Sequence, residues 1–320
     1  MQVNNVQTKK VCVLGGSGFV GSALVSKLDA AGYQVKVLTR RRESSKHLIL
    51  LPNVEVVECN IMQDSELSNA LKGSDIVINL VGILHDDREF GFERIHHQLP
   101  RRVVQICDEL GILRLVHMSA LQAGARAPSA YLRSKAAGEA AVLEYAEKLH
   151  ITIFRPSVIF GRGDNFLNLF ATLVKLMPIV AVAKPDAKFQ PIWVEDVAST
   201  FVGSLQNTAT YGKTYELGGP NVYTLRQLVQ KVADVLGKKR IIIGLNDSLS
   251  MLQGFILGLM PIKLMTRDNI KSMQVDNVCR HGFPEVFNLL PTALEAVVLE
   301  YLTNTSPRAA YDRFRGVAGR

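Results

Sequence analysis

The chain has 320 residues, enough to bury a full core in one large domain or two modest ones. With 48% hydrophobic and 21% charged residues, its composition is that of a folded soluble protein and excludes a disordered chain. The formal net charge of +8 favours an anionic partner, whether a nucleotide, a nucleic acid or an acidic membrane surface.

Targeting and metal-binding signals are not apparent in the sequence. Residues 1–10 are polar, so we expect no signal peptide and a cytoplasmic protein. Charged residues and prolines interrupt the two most apolar stretches, 166–183 and 249–265, and neither predicts a membrane-spanning helix. The four cysteines form no C-x-x-C pair and the seven histidines lack metal-ligand spacing, so we predict neither a disulfide framework nor a metal site.

Strand and helix patterns alternate through the first half of the chain. Apolar runs typical of buried strands are separated by helical segments, which predicts a parallel sheet covered on both faces. Right-handed crossovers would place the carboxyl ends of the strands, and any ligand, along one edge. The predicted strands are residues 11–14, 35–39, 54–59, 75–81, 115–119 and 151–154, and the predicted helices are residues 22–31, 65–71, 94–110 and 131–149.

After Arg155 and Pro156 the pattern becomes mainly helical, with an irregular stretch expected at residues 178–185. We therefore predict an α/β protein with a Rossmann-type doubly wound parallel sheet and a smaller, mainly helical C-terminal domain. The predicted first domain comprises residues 8–161, with 189–218 returning to it, and the second comprises residues 162–188 and 219–320.

A glycine-rich turn lies between the first predicted strand and the first predicted helix. Gly16, Gly18 and Gly21 fit the pattern G-x-G-x-x-G, and Gly15, Gly18 and Gly21 fit G-x-x-G-x-x-G. Glycine lets the backbone approach a pyrophosphate, and a helix N-terminus offers unpaired N–H groups and a favourable dipole. The turn therefore predicts a dinucleotide phosphate site, with a purely structural turn as the alternative.

Cofactor choice should be decided at the end of the second strand. An NAD-selective site places an acidic residue there, about 20 residues beyond the glycines, to bind the ribose hydroxyls. Here Thr39 is followed by Arg40, Arg41 and Arg42, with no acid before Glu43. Because guanidinium groups pair with a 2′-phosphate and stack on adenine, we predict NADP(H) over NAD(H), with a solvated basic loop as the alternative.

The ends of the next two strands supply further candidate contacts. Asn60 and Ile61 follow the third strand, where Asn60 could accept a hydrogen bond from the adenine amino group. Leu80, Val81 and Gly82 end the fourth strand. Gly82 would let the backbone approach the nicotinamide ribose, although a plain turn explains this glycine almost as well.

Tyr131 and Lys135 are four residues apart on a predicted helix and so share one face. A phenol with a pKa near 10 is a poor acid or base at neutral pH. A neighbouring ammonium lowers that pKa, which would make proton transfer coupled to hydride transfer feasible. The pair follows the fifth strand, where the nicotinamide should lie.

With these motifs together, the chain resembles the short-chain dehydrogenase/reductase superfamily, in its extended or atypical branch with epimerase- and dehydratase-like members. Residues 131–135 and 264–278 also resemble the group that contains the nucleotide-binding accessory subunit of respiratory complex I and its bacterial relatives. The superfamily motifs, which span most of residues 10–220, are Gly15-x-x-Gly18-x-x-Gly21, Asn79 to Gly82, Tyr131-x-x-x-Lys135, Arg155-Pro156-Ser157-x-x-Phe160-Gly161 and Trp193 to Val197.

The resemblance implies a bound NADP(H), with the adenine end held by the glycine turn and Arg40. The segment from Pro156 to Ile159 would line the nicotinamide side, and His96 takes the place of an asparagine that many extended members use near the cofactor. The residues implied in cofactor binding are Gly15, Ser17, Gly18, Phe19, Val20, Gly21, Arg40, Arg41, Asn60, Ile61, Leu80, Val81, Gly82, His96, Met118, Tyr131, Lys135, Pro156, Ser157, Val158 and Ile159.

The candidate catalytic residues are Tyr131, Lys135 and Ser119. Enzymatic members of the superfamily carry a serine or threonine at the end of the fifth strand, which binds the substrate oxygen beside the tyrosine. Here Ala120 stands at that position and Ser119 lies one residue earlier. Successive strand side chains point to opposite faces, so the offset leaves turnover open.

The apolar stretch 249–260 covers more of a helix than one core face needs. It predicts a buried helix or a dimer contact, or else a surface that meets a membrane, a quinone-like lipid or a membrane redox complex. The second interpretation would place the protein peripherally on the inner face of the membrane.

Two functions follow from these patterns. The protein is either an active NADP(H)-dependent oxidoreductase or nucleotide-sugar epimerase/dehydratase with Tyr131 as acid/base, or an accessory, assembly or quinone-related factor with weak or no turnover. Tyr131 and Lys135 favour the first function, while Ala120 and the 249–260 stretch favour the second. Nucleic-acid binding is not expected, because the chain has no recognition-helix motif.

Overall fold

Strands and helices alternate along most of the chain in the computed structural model, which describes residues 9–86, 91–259 and 265–303. The strands are β1 (Lys10–Leu14), β2 (Gln34–Thr39), β3 (Val54–Glu58), β4 (Ile76–Asn79), β5 (Arg114–Met118), β6 (His150–Pro156), β7 (Ile159–Phe160), β8 (Ile179–Val182), β9 (Lys188–Phe189), β10 (Ile192–Trp193), β11 (Lys213–Leu217), β12 (Tyr223–Thr224) and β13 (Ile241–Gly244). The helices are α1 (Phe19–Ala30), α2 (Lys46–Ile49), α3 (Asp64–Leu71), α4 (Leu99–Glu109), α5 (Ala130–Leu143), α6 (Leu167–Leu176), α7 (Val194–Ser204), α8 (Leu225–Val235), α9 (Asp247–Gly258), α10 (Arg267–Ser272) and α11 (Leu294–Leu302).

The chain divides into two units. The first unit runs to Pro156 and also includes Glu195–Leu217 and Pro284–Leu289, and the remaining segments form the second unit. Residues 157–161 and 189–194, which we expected in the first domain, thus belong to the second unit. Residue 8 and residues 304–320 of the predicted domains lie outside the described residues.

A seven-stranded parallel sheet forms the centre of the first unit. Its strand order is β11-β6-β5-β4-β1-β2-β3, and every neighbouring pair is parallel. The strand order reverses between β1 and β4, and in open α/β sheets ligands bind at such a switch point, beyond the carboxyl ends of the strands. The prediction of a doubly wound Rossmann-type sheet is confirmed.

The sheet is buried on both faces because its central strands are almost entirely apolar. In β1 every residue from Val11 to Leu14 is buried, and β4 is buried along its whole length. On one face Val103 and Val104 of α4 pack in a single cluster with Leu115 of β5. This packing fixes the carboxyl ends of β1, β4 and β5 side by side.

Two helices of the first unit differ from the sequence prediction. The helix predicted at residues 94–110 begins as a π-helical turn, Glu93–Gln98, and continues as α4. The helix predicted at residues 131–149 ends at Leu143, six residues early. The π-turn matters for function, because such turns insert one extra residue and re-aim a side chain.

The second unit combines helices with three two-stranded sheets, β7 with β10, β8 with β13 and β9 with β12. Its core includes Phe170 of α6, Leu228 and Val232 of α8, and Leu294 of α11. The prediction of an irregular segment at residues 178–185 is wrong, since β8 lies within it and pairs with β13. The alternation of exposed and buried side chains along β8 is the strand signal that the flanking prolines obscured.

No helix within the described ranges is both long and apolar enough to cross a membrane. The helix expected at residues 249–260 is α9, and residue 260 lies outside the described residues. Gly254 of α9 faces Ile270 of α10, and the Arg267 guanidinium lies 5.3 Å from the centre of the Phe255 ring. These contacts cover one side of α9, whereas Leu252, Phe255 and Ile256 on the same helix are about half exposed. The predicted role of this stretch as an apolar binding helix is not supported, because no described helix is long and apolar enough to cross a membrane.

Candidate functional site

The glycine turn after β1 is closed tightly against the start of α1. Gly15 adopts a positive φ of 78°, and a Cβ there would lie 3.1 Å from the backbone of Leu80 and Val81. A Cβ on Gly21 would overlap the carbonyl oxygen of Gly15 and the Cα of Gly16. A Cβ on Gly16 would also come within 2.9 Å of the Val37 side chain, but of Gly15 and Gly16 only Gly15 has a positive φ, so the geometry favours the G-x-x-G-x-x-G spacing.

The first turn of α1 presents backbone donors without a side-chain cap. Gly18 is the N-cap residue, no side chain accepts from the helix start, and the first turn contains no acidic residue. The first helical bond runs from the Ser22 N–H to the Gly18 carbonyl, 2.8 Å, so the N–H groups of Phe19, Val20 and Gly21 precede the helical ladder. Helices α8, α9 and α10, in contrast, are capped by Thr224, Asn246 and Thr266. The start of α1 suits a phosphate group.

Arg40 and Arg41 lie at the carboxyl end of β2, next to this turn. Leu14 pairs with Leu38 in the parallel ladder, so the glycine turn and the arginine loop leave the same edge of the sheet. Both arginines are exposed. Their position fits the prediction that guanidinium groups meet the adenosine end of a dinucleotide.

Asn60 and Ile61 follow β3 along the same edge. The Asn60 side-chain oxygen accepts the Met62 N–H at 3.1 Å, and the Asn60 N–H donates to Glu66 at 2.8 Å. The amide is therefore held by its own turn. Its oxygen retains one lone pair for a ligand.

Leu80, Val81 and Gly82 lead away from β4 toward α5. The Val81 N–H donates to the side chain of Asn79 at 3.1 Å. A Cβ on Gly82 would lie 3.1 Å from Nζ of Lys135. Gly82 thus allows the backbone to lie close to the lysine, and both its predicted role at the nicotinamide ribose and the plain-turn alternative stay predictions.

Lys135 projects from α5 into the buried end of β5. Its helix begins at Ser129, whose hydroxyl accepts the Leu132 N–H at 3.2 Å. Nζ donates to the Met118 carbonyl at 3.2 Å, its one hydrogen bond within the described residues. Burial lowers the pKa of Lys135 to about 8, and Glu139 opposes this shift. An ammonium with remaining donors is suited to ribose hydroxyls or another oxygen ligand.

Tyr131 lies one helical turn before Lys135 on α5. We expected the lysine to lower the pKa of this tyrosine, and that prediction is wrong for the structure. Burial raises the pKa of Tyr131 to about 12, so its phenol is neutral and a weak acid at pH 7. Proton transfer would require a ligand that stabilises the phenolate.

Two polar groups at the end of β5 are buried with no hydrogen-bond partner among the described residues. They are the hydroxyl of Ser119 and Nε2 of His117. The Ser119 N–H still bonds to β6, so the strand pattern continues and places both side chains on one face. The other ring nitrogen of His117 lies 3.4 Å from the Asn79 amide. A site with unsatisfied donors is one where an oxygen ligand would be stabilised.

His96 lies in the π-turn with both ring nitrogens bonded to the protein. Nε2 is 3.0 Å from the Ile83 nitrogen and Nδ1 is 2.9 Å from the Ser134 hydroxyl. Burial lowers the pKa of His96 to about 2, and Lys135 adds to this effect. His96 was predicted as a cofactor contact, yet both of its ring nitrogens are used within the protein.

Pro156 ends β6 in the first unit, while Ser157, Val158 and Ile159 belong to the second unit. There the Asn277 side-chain oxygen accepts the Ser157 hydroxyl and the Val158 N–H. Asn277 thus fixes the conformation of this segment. That the segment lines a nicotinamide site stays a prediction.

Sequence reasoning missed His117, Ser134 and Phe92 as members of the site. Their partners come from other elements, and only the i, i+4 spacing of Lys135 and Glu139 could have signalled the charge next to the lysine. Glu139 is buried and pairs with Arg155, whose Nε donates to it at 2.8 Å. Across the described ranges no group of three or more potential metal-ligating residues occurs.

The fold and the site define a protein of the short-chain dehydrogenase/reductase class, built on a Rossmann-type sheet with a tyrosine–lysine pair beside its switch point. More specifically, the chain belongs to the NAD dependent epimerase/dehydratase family, whose family model matches residues 11–218.

Comparison with known proteins confirms the narrower resemblance as well. The chain is 35% identical over 233 residues to the mitochondrial NADH dehydrogenase [ubiquinone] 1 alpha subcomplex subunit 9 of Arabidopsis thaliana, covering 70% of this chain and 57% of that protein. It is 32% identical over 300 residues to the protein of the same description from Mus musculus, covering 91% of this chain and 78% of that protein.

Among solved structures, the fold is similar to an NADPH-dependent quinone oxidoreductase, QOR2, from Escherichia coli, complexed with NADPH. The TM-score is 0.74 at 17% identity, covering 92% of this chain and 99% of that chain. At this identity the similarity establishes the fold alone.

Proposed function

We propose that the protein binds a nicotinamide dinucleotide, NADP(H) in preference to NAD(H), and serves as an accessory, assembly or quinone-related factor of a membrane redox system with weak or no turnover. Its place would be peripheral, on the cytoplasmic side of the membrane. The observation that carries the binding proposal is the uncapped start of α1 beside the exposed Arg40 and Arg41.

The residues of the first unit fit such a ligand along its length. The pyrophosphate would lie on the N–H groups at the start of α1, and the adenosine 2′-phosphate would meet Arg40. Lys135 and the backbone at Gly82 would hold the ribose next to the nicotinamide, which supplies hydride chemistry when bound. Lys135 keeps donors for this purpose, because its contacts with the described residues use one of them.

The accessory role is supported by the relatives and by the state of Tyr131. The Arabidopsis and mouse relatives are described as subunits of a mitochondrial NADH dehydrogenase [ubiquinone], and the mouse protein matches this chain over most of its length. The raised pKa of Tyr131, caused by burial, makes it a poor proton donor at neutral pH. Ala120, rather than a hydroxyl residue, follows Ser119 at the end of β5.

The alternative is an active NADP(H)-dependent oxidoreductase or nucleotide-sugar epimerase/dehydratase with Tyr131 as acid/base. One observation favours it. Within the described part of the chain, the buried Ser119 hydroxyl has no partner and lies at the end of the strand that Lys135 touches. Such a hydroxyl would be stabilised by a substrate oxygen.

The test begins with the nucleotide that co-purifies with the protein and with the Kd values for NADPH and NADH. Arg40→Glu should weaken NADPH binding at least about tenfold more than NADH binding, because it replaces an attraction to the 2′-phosphate with repulsion. Lys72→Glu is the matched control, because this substitution makes the same charge change just before β4, at the opposite edge of the sheet.

Equal affinity of the parent protein for NADPH and NADH would contradict the selectivity. The two functions separate in a second measurement, in which the redox state of the bound nicotinamide is followed during incubation with quinones and nucleotide sugars. Multiple turnovers that disappear in Tyr131→Phe would establish the enzyme and overturn the accessory role.

A further inference from the structure

The hydrogen bonds of His96 determine which of its ring nitrogens carries the proton. A backbone N–H only donates, so Nε2 must accept the bond from Ile83, 3.0 Å away. A neutral imidazole then carries its proton on Nδ1. The Ser134 hydroxyl donates to the Tyr131 carbonyl at 2.8 Å and so accepts from Nδ1, 2.9 Å away. The donor and the acceptor of each hydrogen bond in this chain are therefore fixed.

Packing fixes the plane of the same imidazole. The Phe92 ring stacks on it with centroids 5.3 Å apart and an interplanar angle of 18°. The Tyr131 ring lies nearly perpendicular to it, at an interplanar angle of 82° and with centroids 5.4 Å apart. The Phe92 and Tyr131 rings also contact each other, with centroids 5.9 Å apart, so the three rings form one cluster. The imidazole is thus packed against two aromatic side chains while its nitrogens are fixed by two hydrogen bonds.

The π-turn and α5 are joined at a second point one turn further along the helix. A Cβ on Gly138 would overlap the carbonyl oxygen of His96, so the backbones meet there without an intervening side chain. His96 therefore touches α5 through its main chain at Gly138 and through its side chain at Ser134. Two contacts one turn apart restrict both the distance and the rotation of α5.

We propose that His96 is the positioning residue of the tyrosine–lysine pair, a neutral Nδ1-protonated imidazole that ties the Gly82–Ile83 backbone to α5 and thereby fixes Tyr131 and Lys135. The proposal rests on the proposed nucleotide site, of which these residues form the nicotinamide end. It gives His96 no proton-transfer role, because neither nitrogen is available to a ligand.

The surroundings of His96 keep the imidazole neutral. Lys135 reaches the same Gly82 backbone, and His117 lies close enough to oppose a second positive charge. The phenol of Tyr131 carries no charge at neutral pH that would compensate one. Protonation would also remove the acceptor for the Ile83 N–H.

The tautomer is measured directly by ¹⁵N NMR of histidine-labelled full-length protein, with the His96 signal assigned from its loss in His96→Gln. The expected signal is a neutral Nδ1–H imidazole from pH 8 to pH 5. An Nε2–H tautomer, or titration near pH 6.5, would overturn the proposal. This readout is independent of nucleotide binding.

Two variants of His96 with amide side chains distinguish its bond to Ser134 from its bond to Ile83. Asparagine can donate from near the Nδ1 position, so His96→Asn keeps the Ser134 bond. Glutamine can accept near the Nε2 position, so His96→Gln keeps the Ile83 bond. Ser134→Ala should then lower NADPH affinity about fivefold in the wild-type and His96→Asn backgrounds, and have no further effect in His96→Gln.

His97→Gln is the matched control, because His97 is the neighbouring histidine, is partly exposed and pairs with Glu93. It should leave NADPH affinity unchanged. A Ser134→Ala effect of equal size in all three backgrounds overturns the positioning role, as does full NADPH affinity in a folded His96→Phe variant. If the wild type binds no nucleotide, the proposed function is wrong. The hydrogen-bond network of His96 is then tested by its ¹⁵N tautomer and by the same set of variants, with the midpoint of unfolding measured in place of NADPH affinity.

Discussion

Arg114 and Lys135 are two buried cations at opposite ends of β5, and they differ in the hydrogen-bond acceptors that surround them. Arg114 is the first residue of the strand, and its guanidinium lies 4.6 Å from the Tyr211 ring centre. Lys135 touches the last residue of the strand through a single bond to the Met118 carbonyl. The acceptors around Arg114 are the carbonyls of Leu115, His150, Ser204 and Leu205 and the hydroxyl of Thr210.

The difference shows how the two edges of the sheet are used. At the amino edge the N–H donors of Arg114 are bonded to carbonyl groups and a hydroxyl of the protein itself. At the carboxyl edge Lys135 keeps donors, and the buried Ser119 hydroxyl and His117 Nε2 have no partner within the described ranges. The amino edge thus contributes to stability, whereas the carboxyl edge is where we propose that the ligand binds, as expected for an open α/β sheet.

The largest effect is expected from Arg114→Leu. The substitution leaves several buried carbonyl groups without donors, so the free energy of unfolding should fall by roughly 3–5 kcal/mol. Urea unfolding measures this loss. Arg101→Leu serves as control, because Arg101 is exposed and its distance to Glu144 is 3.7 Å, and it should change stability by less than about 0.5 kcal/mol. Equal losses in both variants would remove the structural role of Arg114.

The pH dependence of stability tests the two buried histidines at the carboxyl edge. Burial lowers the pKa of His96 to about 2 and that of His117 to about 3, well below the unfolded value of 6.5. The unfolded chain therefore binds more protons below pH 6.5, and folding is destabilised as the pH falls toward these values. Each histidine should remove about 2 kcal/mol between pH 6.5 and pH 5.

The measurement compares urea unfolding of the wild type and His117→Gln at several pH values. The variant should lose about one proton of uptake on unfolding, which flattens its stability profile below pH 6.5. Parallel profiles would show that His117 is not held neutral by its surroundings. The control variant His47→Gln changes an exposed histidine and should follow the wild-type profile.

The sequence predicts the fold because apolar strands and helices alternate with the regularity that a parallel sheet requires. The glycine turn is equally local, since Gly15 and Gly21 are needed by the backbone of one short segment. Properties that depend on tertiary packing are not predicted from local sequence patterns. The pKa of Tyr131 is set by burial among several elements, and no spacing within α5 reveals it.

His96 illustrates the same limit. The sequence places it at the cofactor only through a resemblance, while its partners Ile83 and Ser134 come from segments 13 residues before it and 38 residues after it. The π-turn that aims the ring interrupts an otherwise regular helical pattern. The role of such a residue emerges only when the hydrogen bonds of the folded chain are followed.

Of the substitutions at buried residues, Lys135→Met is expected to change stability least. It is also the most direct test of the difference between Arg114 and Lys135. Methionine fills a similar volume, and the substitution removes a desolvated charge together with one hydrogen bond, so the two effects should cancel to within about 1 kcal/mol. NADPH affinity should nevertheless fall at least about tenfold, because the remaining donors of Lys135 are lost. Calorimetric titration with NADPH and urea unfolding of the same samples measure both quantities.

Lys148→Met is the matched control, since Lys148 is exposed and paired with Asp108 at 2.7 Å, and it should change neither quantity measurably. A loss of stability in Lys135→Met as large as that in Arg114→Leu, with NADPH affinity retained, would make Lys135 a second structural cation. Both edges of the sheet would then serve stability, and the nucleotide site would have to depend on the glycine turn and Arg40 alone.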